Sequence, residues 1–233
     1  MNININNHII SKVDNVKYLG VALDNKLSWN SRIAQVKKQI SKACGALSRL
    51  RHYLPINPLI TVYYSLVFSH LQYAISSWGS ASTYLLKTMK TIQNKIIRLI
   101  TFSSHRSNAE KLYAKLKILN LNDIYKLQIP KLMHQFKHGC LPSVFNYLFT
   151  KLDNIHTYNT RQKTSQEYIV PRKRLATAQK SLAYIVVKIW ESLDQNLKVQ
   201  PFYVFKKKCK LHFLNQYSVV PIICYLKYSS LTS

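Results

Sequence analysis

Between Asp24 and Glu110 the chain has no acidic side chain, while twelve lysines and arginines fall in the same window. The apolar residues there follow a period. Ile33, Val36, Ile40, Ala43/Cys44, Leu47, Leu50 and Leu54 recur at steps of three and four, the spacing of one helix face. Such a stretch folds as helices that bury an apolar face and present a polar face of one sign. The whole chain keeps that balance: 34 Lys+Arg against 8 Asp+Glu give a formal net charge of +26, yet 47% of its 233 residues are hydrophobic. A disordered basic tail has far fewer apolar residues, and 4 Gly with 7 Pro exclude collagen-like and Gly/Pro-rich chains. Self-repulsion at this charge costs stability unless an anionic partner neutralises it, which points to nucleic acid or an acidic membrane surface.

Residues 16–24 alternate loosely and end at Asn25, the pattern of a strand pair or a strand plus turn. The spacing then predicts a helix over residues 30–53, closed by Pro55, with Lys38, Lys42 and Arg49 near its polar face. Asn57-Pro58 supplies a cap and a first-turn proline for a second helix reaching Trp78, apolar almost all round as a central bundle helix is. Ser65, Ser69, His70, Gln72, Ser76 and Ser77 interrupt it too often for a membrane span of about 20 apolar residues. Tyr63, Tyr64, Tyr73 and Trp78 lie at helical spacing and read as core before they read as base-stacking groups. Gly79 ends that helix, and Ser82 or Thr83 caps a third whose apolar face is Leu85/Leu86, Met89, Ile92, Ile96 and Leu99/Ile100. Three helices with short connections predict an antiparallel bundle over residues 30–105.

Residues 106–150 read as short helices. Asn108 caps one that ends near Lys117; Asn122-Asp123 caps another, which Pro130 should kink or split. Residues 151–180 read as a long basic loop with an extended piece at 168–171. In residues 181–233, the apolar run 181–193 fits either a buried strand or a helix. Gln200-Pro201 then starts a helix whose Phe205, Cys209 and His212 share a face. The expected fold class is mainly α. A short N-terminal β-hairpin or strand in residues 1–29 precedes the bundle, and a smaller, mostly helical C-terminal region with the basic loop follows it.

A surface without carboxylates suits a phosphate backbone, whereas ordinary soluble surfaces mix both signs. The acids stand singly, with no DD, DxD or ExD pair, and the closest two, Glu191 and Asp194, read as a surface pair near a helix end. Nucleotidyl-transfer and hydrolytic centres that use Mg²⁺ cluster their carboxylates. Cys209-x-x-His212 and His138-x-Cys140 lack a second ligand pair at zinc-finger spacing, and GxGxxG, GxxxxGK[ST] and GxSxG are all missing. No catalytic residue and no metal ligand is therefore assigned. The start MNININNHII has no basic n-region, and the four widely spaced cysteines read as reduced thiols, so an intracellular protein of the nucleus or cytoplasm is expected.

Five segments in order carry a family resemblance. Val16-Lys-Tyr-Leu-Gly-Val-Ala-Leu-Asp-Asn-Lys-Leu-Ser-Trp29 resembles the K-[YF]-L-G-[VI]-x-[LI]-D-x-x-L-x-W segment that follows the palm in non-LTR (LINE-like) retrotransposon reverse transcriptases. Tyr64-Ser-Leu-Val-Phe-Ser-His-Leu-Gln-Tyr-Ala-Ile-Ser-Ser-Trp-Gly79 is similar to their SLI-x-P-x-L-x-Y-x-x-x-x-W-G helix, with Ser69 where proline is common. Ile92-Gln-Asn-Lys-Ile-Ile-Arg-Leu-Ile100, His156-Thr-Tyr-Asn-Thr-Arg161 and Ile189-Trp-Glu-Ser-Leu193 resemble three later elements, the last with Asp194 in place of proline.

The resemblance implies the end of a palm, a thumb and a post-thumb region, beginning at an internal Met of a longer polymerase. The family's metal-binding carboxylates would then lie before residue 1. The chain is accordingly expected to be no enzyme on its own and to hold no cofactor, Mg²⁺ belonging to the palm. Tyr18, Leu19 and Gly20 would match the primer-grip turn. Lys38, Lys42 and Arg49 on a thumb helix would touch phosphates of the template–primer. Arg161, Arg172, Lys173 and Arg174 would bind element RNA or target DNA, although Arg172–Arg174 reads equally as a solvated loop or a nuclear-import signal. The partners expected are RNA, DNA or an RNA–DNA duplex, with no small-molecule substrate and no transmembrane segment. Two alternatives remain in other classes: a functionless truncated transposon relic, and a basic amphipathic helical protein that binds a membrane surface or a protein partner.

Overall fold

The computed structural model describes residues 3–5, 8–10, 12–152 and 167–218. Two antiparallel hairpins come first, β1 (Ile3–Ile5) with β2 (His8–Ile10) and β3 (Asn15–Tyr18) with β4 (Val21–Asp24). Among the described residues the regular elements after them are helical, apart from one isolated antiparallel bridge between Lys151 and Tyr168. The helices are α1 (Asn30–Leu50), α2 (Ile56–Tyr63), a π-helical turn (Tyr64–Phe68), α3 (Ser69–Gln72), α4 (Ile75–Trp78), α5 (Thr83–Ile100), α6 (Ala109–Leu116) and α7 (Leu121–Lys137). They continue as α8 (Leu182–Glu191), α9 (Gln195–Lys198) and α10 (Phe202–Ser218). Short 3₁₀ turns lie at Ser143–Tyr147 and Ala178–Lys180.

The expected face of α1 is the buried one: Ile33, Val36, Ile40, Ala43, Cys44 and Leu47 all lie in the core, packed on α5. Ser82 caps α5 and Asn108 caps α6, each accepting a backbone N–H from the first turn. One continuous cluster runs from Ile33 to Phe213. Gln93 is its polar hub. Its amide donates to the Tyr63 hydroxyl (2.9 Å) and the Leu119 carbonyl (3.1 Å) and accepts the Leu121 N–H (2.8 Å), tying α5 to α2 and to the start of α7.

The structure corrects several expectations. The second helix is not continuous to Trp78. It starts at Ile56, two residues before Pro58, whose missing N–H falls in a first turn where that donor has no partner anyway. It then breaks where Tyr73 turns extended and Ala74 adopts φ 55°, a left-handed conformation costing a non-glycine about 1–2 kcal/mol. The carbonyl freed at Tyr73 is satisfied from afar, by Trp78 Nε1 (2.9 Å) and Arg32 Nη2 (3.3 Å). Gly79 closes α4 because a Cβ there would lie 2.3 Å from the Tyr125 ring and 2.5 Å from the Ile75 carbonyl oxygen.

Asn120, not Asn122-Asp123, caps α7, and the helix runs unbroken through Pro130. Giving up one backbone bond there keeps Ile129, Met133 and His134 in the core. Residues 182–191 are helical, which resolves the open choice. On α10, Phe205, Cys209 and Phe213 are buried while His212 is exposed, so Cys209 and His212 do not share the inward face. Glu191 is no surface residue either; its side chain is 4% exposed and lies 3.1 Å from Lys198.

Candidate nucleic-acid interface

Strands β3 and β4 pair from Asn15↔Asp24 to Tyr18↔Val21, leaving Leu19 and Gly20 as a two-residue turn. Both have positive φ, 46° and 76°, the mirror-image turn whose twist suits a hairpin. Glycine accepts that geometry freely and leucine does not. The turn is held from behind: the Tyr73 hydroxyl donates to the Leu19 carbonyl, and Arg32 Nη1 donates to the Gly20 carbonyl at 3.4 Å. Arg32 also lies over the Tyr73 ring, 5.5 Å from its centre, and burial pulls its guanidinium below its usual range. The two outer side chains remain in solvent, Tyr18 at 65% and Leu19 at 73% exposure.

Asp24 fixes how the hairpin meets α1. Its carboxylate accepts the Ser28 hydroxyl (2.7 Å), the Ser28 N–H (2.8 Å) and the Trp29 N–H (2.9 Å). The Ser28 hydroxyl first, with those N–H donors in support, holds the carboxyl below the usual carboxylate range against the opposing pull of burial. Trp29, at φ 66°, then turns the chain into α1.

Lys38, Lys42 and Arg49 are all exposed on α1. Their four- and seven-residue separations place them on one stripe spanning about 16 Å of helix axis. Gly45 sits within the stripe, and no heavy atom lies within 4 Å of where its Cβ would be. Between turn and stripe lies a cleft of about 320 Å³ lined by Gly20, Arg32, Gln35, Gln39, His70 and Tyr73. Gln35 and Gln39 neighbour Lys38 and Lys42 at helical spacing, so the cleft leads from the turn to the foot of the stripe.

Arg172, Lys173 and Arg174 are exposed in the segment that precedes α8, with the Lys173 carbonyl accepting from Gln179. Further along that segment, Thr177, Lys180 and Ser181 face Lys26 and Trp29 across a second cleft of about 610 Å³. Arg161 lies outside the described residues. The structure thus sets one cleft between the turn and the α1 residues beside the stripe, and carries Arg172–Arg174 on a separate segment. The sequence passes over Arg32 and places Tyr73 in the core, whereas that residue is 50% exposed. No local signal reveals them, because they act through carbonyls 12 to 54 residues away.

Three curated proteins match the chain. One is the probable RNA-directed DNA polymerase from transposon X-element of Drosophila melanogaster, 29% identical over 111 residues. Over that stretch the chain is similar to an RNA-directed DNA polymerase of a mobile element. The mobile element jockey supplies the other two, 24% identical over 136 residues in Drosophila funebris and 26% over 129 residues in Drosophila melanogaster. The matches cover 46%, 57% and 54% of this chain but 12%, 15% and 14% of the respective relatives, so the chain spans a small part of their length. No family model matches the chain, and no solved structure does. Among the described residues no helix is long and apolar enough to cross a membrane.

Proposed function

We propose that the chain is a non-catalytic, thumb-like part of a retrotransposon RNA-directed DNA polymerase that grips a nucleic-acid backbone. The β3–β4 turn lies against the sugar–phosphate chain of one strand, and Lys38, Lys42 and Arg49 neutralise phosphates along the duplex. The observation that carries this reading is the single-signed stripe on α1, with the 320 Å³ cleft between the buttressed turn and the α1 residues beside the stripe. Gly45 lets the backbone approach α1 between two cations. Contacts to phosphates position a duplex without reading its sequence, so little base preference is expected. Arg172, Lys173 and Arg174 form a second, separate contact with element RNA or target DNA, and Arg161 is assigned to the same ligand. The reading takes no cofactor in this chain; Mg²⁺ would be held by palm carboxylates of the polymerase.

The test is fluorescence anisotropy of a labelled RNA–DNA duplex over a salt series. Three phosphate contacts give a slope of log K against log salt of roughly −2 to −3. An affinity that stays flat between about 50 and 200 mM salt overturns the reading.

A further inference from the structure

A pocket of about 410 Å³ opens between the α3–α4 break, α7 and α10, and a second of about 190 Å³ adjoins it. Lys131, Lys206, Gln72 and Gln128 line both, and Lys210 lines the smaller. No carboxylate among the described residues lines either one. Among the described residues the lysines in ion pairs are Lys126, Lys137 and Lys198, none of which belongs to this group. Lys131 is only 8% exposed, and its ammonium donates to Gln128 Oε1 at 3.4 Å. Gathering ammonium groups around a concave space without a counter-charge is costly. Burial first, then Lys206 and Lys210, pull the Lys131 ammonium down to about 8.

We propose that this double pocket binds a phosphate-bearing anion, with Lys131, Lys206 and Lys210 as its cations and the amides of Gln72, Gln128 and Gln135 as neutral donors. Lysine binds phosphate as a compact point charge, and three of them match a dianionic or trianionic group better than a single carboxylate. A volume of about 410 Å³ leaves room for the compound that carries the phosphate. The site lies between the α3–α4 break, α7 and α10; its cations are not those of the α1 stripe, and it does not depend on the function proposed for the turn and the stripe.

The experiment uses the whole chain and inorganic pyrophosphate, followed by thermal melting at pH 7 against sodium chloride of matched ionic strength. A saturable rise in melting temperature is expected. Lys131→Met should weaken the apparent affinity roughly tenfold or more, the scale of one lost charge-assisted bond. That variant removes a buried charge, so it should melt no lower than the native chain, and loss of binding is then not loss of fold. Gln128→Glu keeps all three lysines but gives Lys131 an internal carboxylate, and should weaken binding likewise. A chain with Lys38, Lys42 and Arg49 all changed to Ala should keep its response.

Between pH 7 and 9.5 the native chain should also lose its affinity advantage over Lys131→Met as Lys131 gives up its proton, the ionisation of pyrophosphate itself being common to both. Lys206, Lys210 and Cys209 face Lys131 from α10, the thiol pushed up to about 11 by burial; Tyr64 on the π-helical turn, its hydroxyl also pushed up by burial, stays neutral, and Gln128 and Gln135 on α7 and Gln72 and Ser76 at the helix break carry no charge. The triple variant also separates two sources of phosphate. Competition by a 5′-phosphorylated oligonucleotide, and not by its 5′-hydroxyl counterpart, assigns the site to a nucleic-acid end. Competition by neither assigns it to a free phosphate compound. A melting shift reproduced by sodium chloride, or undiminished in Lys131→Met, overturns the proposal.

Discussion

Lys198 and Lys131 are both buried, and the fold treats them in opposite ways. The Lys198 side chain is 0% exposed, yet its ammonium lies 3.1 Å from Glu191 Oε2 and 5.6 Å from the centre of the Trp190 ring. The other Glu191 oxygen accepts the N–H groups of Glu167 (3.0 Å) and Tyr168 (2.9 Å), so the carboxylate joins α8, α9 and the segment at 167–168. Lys131 has a glutamine and two more lysines for company. The contrast shows where a chain with 8 acids places them. Asp24 orders the entry to α1, Asp123 accepts the Tyr217 hydroxyl, Asp194 caps α9 and Glu191 neutralises Lys198. These four acids hold elements of the fold in place, and among the described residues the cations of the α1 stripe and of the pocket have no carboxylate partner.

Removing the carboxylate breaks the contrast most severely. Glu191→Ala turns Lys198 into an unpaired buried charge and strips two backbone donors of their acceptor, at about 3–5 kcal/mol. The melting temperature should fall by roughly 10 °C. Adding Lys198→Met should return part of that loss. A change below about 1 kcal/mol in Glu191→Ala means the pair does not hold α8 to its neighbours.

The second effect is smaller and opposite in sign. Lys131 titrates in the folded chain near 8, below its unfolded value. The unfolded chain therefore binds the extra proton between about pH 8 and 10, and the native protein gains stability as pH rises through that window. Below it the full penalty applies, at most ~3 kcal/mol from the shift and about 1–2 after solvent screening at the pocket mouth. Lys131→Met should melt a few degrees higher at pH 7 in phosphate-free buffer and lose this part of the rise, as denaturation profiles over pH will show.

The same contrast explains what the sequence disclosed. Helix α1, the β3–β4 hairpin and the caps Ser82 and Asn108 are decided by neighbours within a few residues, so period and punctuation reveal them. The α1 stripe is legible for the same reason: Lys38, Lys42 and Arg49 need only helical spacing to share a face. The break at Tyr73–Ala74 carries no glycine or proline, and what takes up the freed carbonyl includes an arginine 41 residues earlier. Glu191 appears superficial at a three-residue step from Asp194, because its real partners lie 7 and 24 residues away. Lys131, Lys206 and Lys210 meet only once α7 packs on α10. Charge placement by local periodicity is readable, and charge placement by tertiary contact is not.

Tyr73→Phe sharpens the comparison at the hairpin, where a neutral hydroxyl does the work that Glu191 does in the C-terminal region. The change removes the bond to the Leu19 carbonyl and keeps the ring beneath Arg32. The cost should be about 1 kcal/mol, since the carbonyl is exposed enough to take water in exchange. Hydrogen exchange should quicken at the β3–β4 amides while α7 and α8 keep their protection, because the hairpin opens locally. Uniform loss of protection would mean that the turn is coupled to the whole core.

The smallest effect on the fold belongs to the most exposed cations. Lys42→Gln removes a charge with no carboxylate partner among the described residues and keeps a good helix former, so stability should change by less than about 0.5 kcal/mol. Binding should still respond, because an uncompensated surface cation has its energetic consequence only when a phosphate arrives. The slope of log K against log salt on an RNA–DNA duplex should lose roughly one unit, equally for unrelated sequences. Glu191→Ala and Lys42→Gln thus stand at opposite ends of one scale, the first costly to the fold and the second nearly neutral to it. A Lys42→Gln chain that melts as before and keeps the full salt slope would place the phosphate contacts elsewhere than on α1.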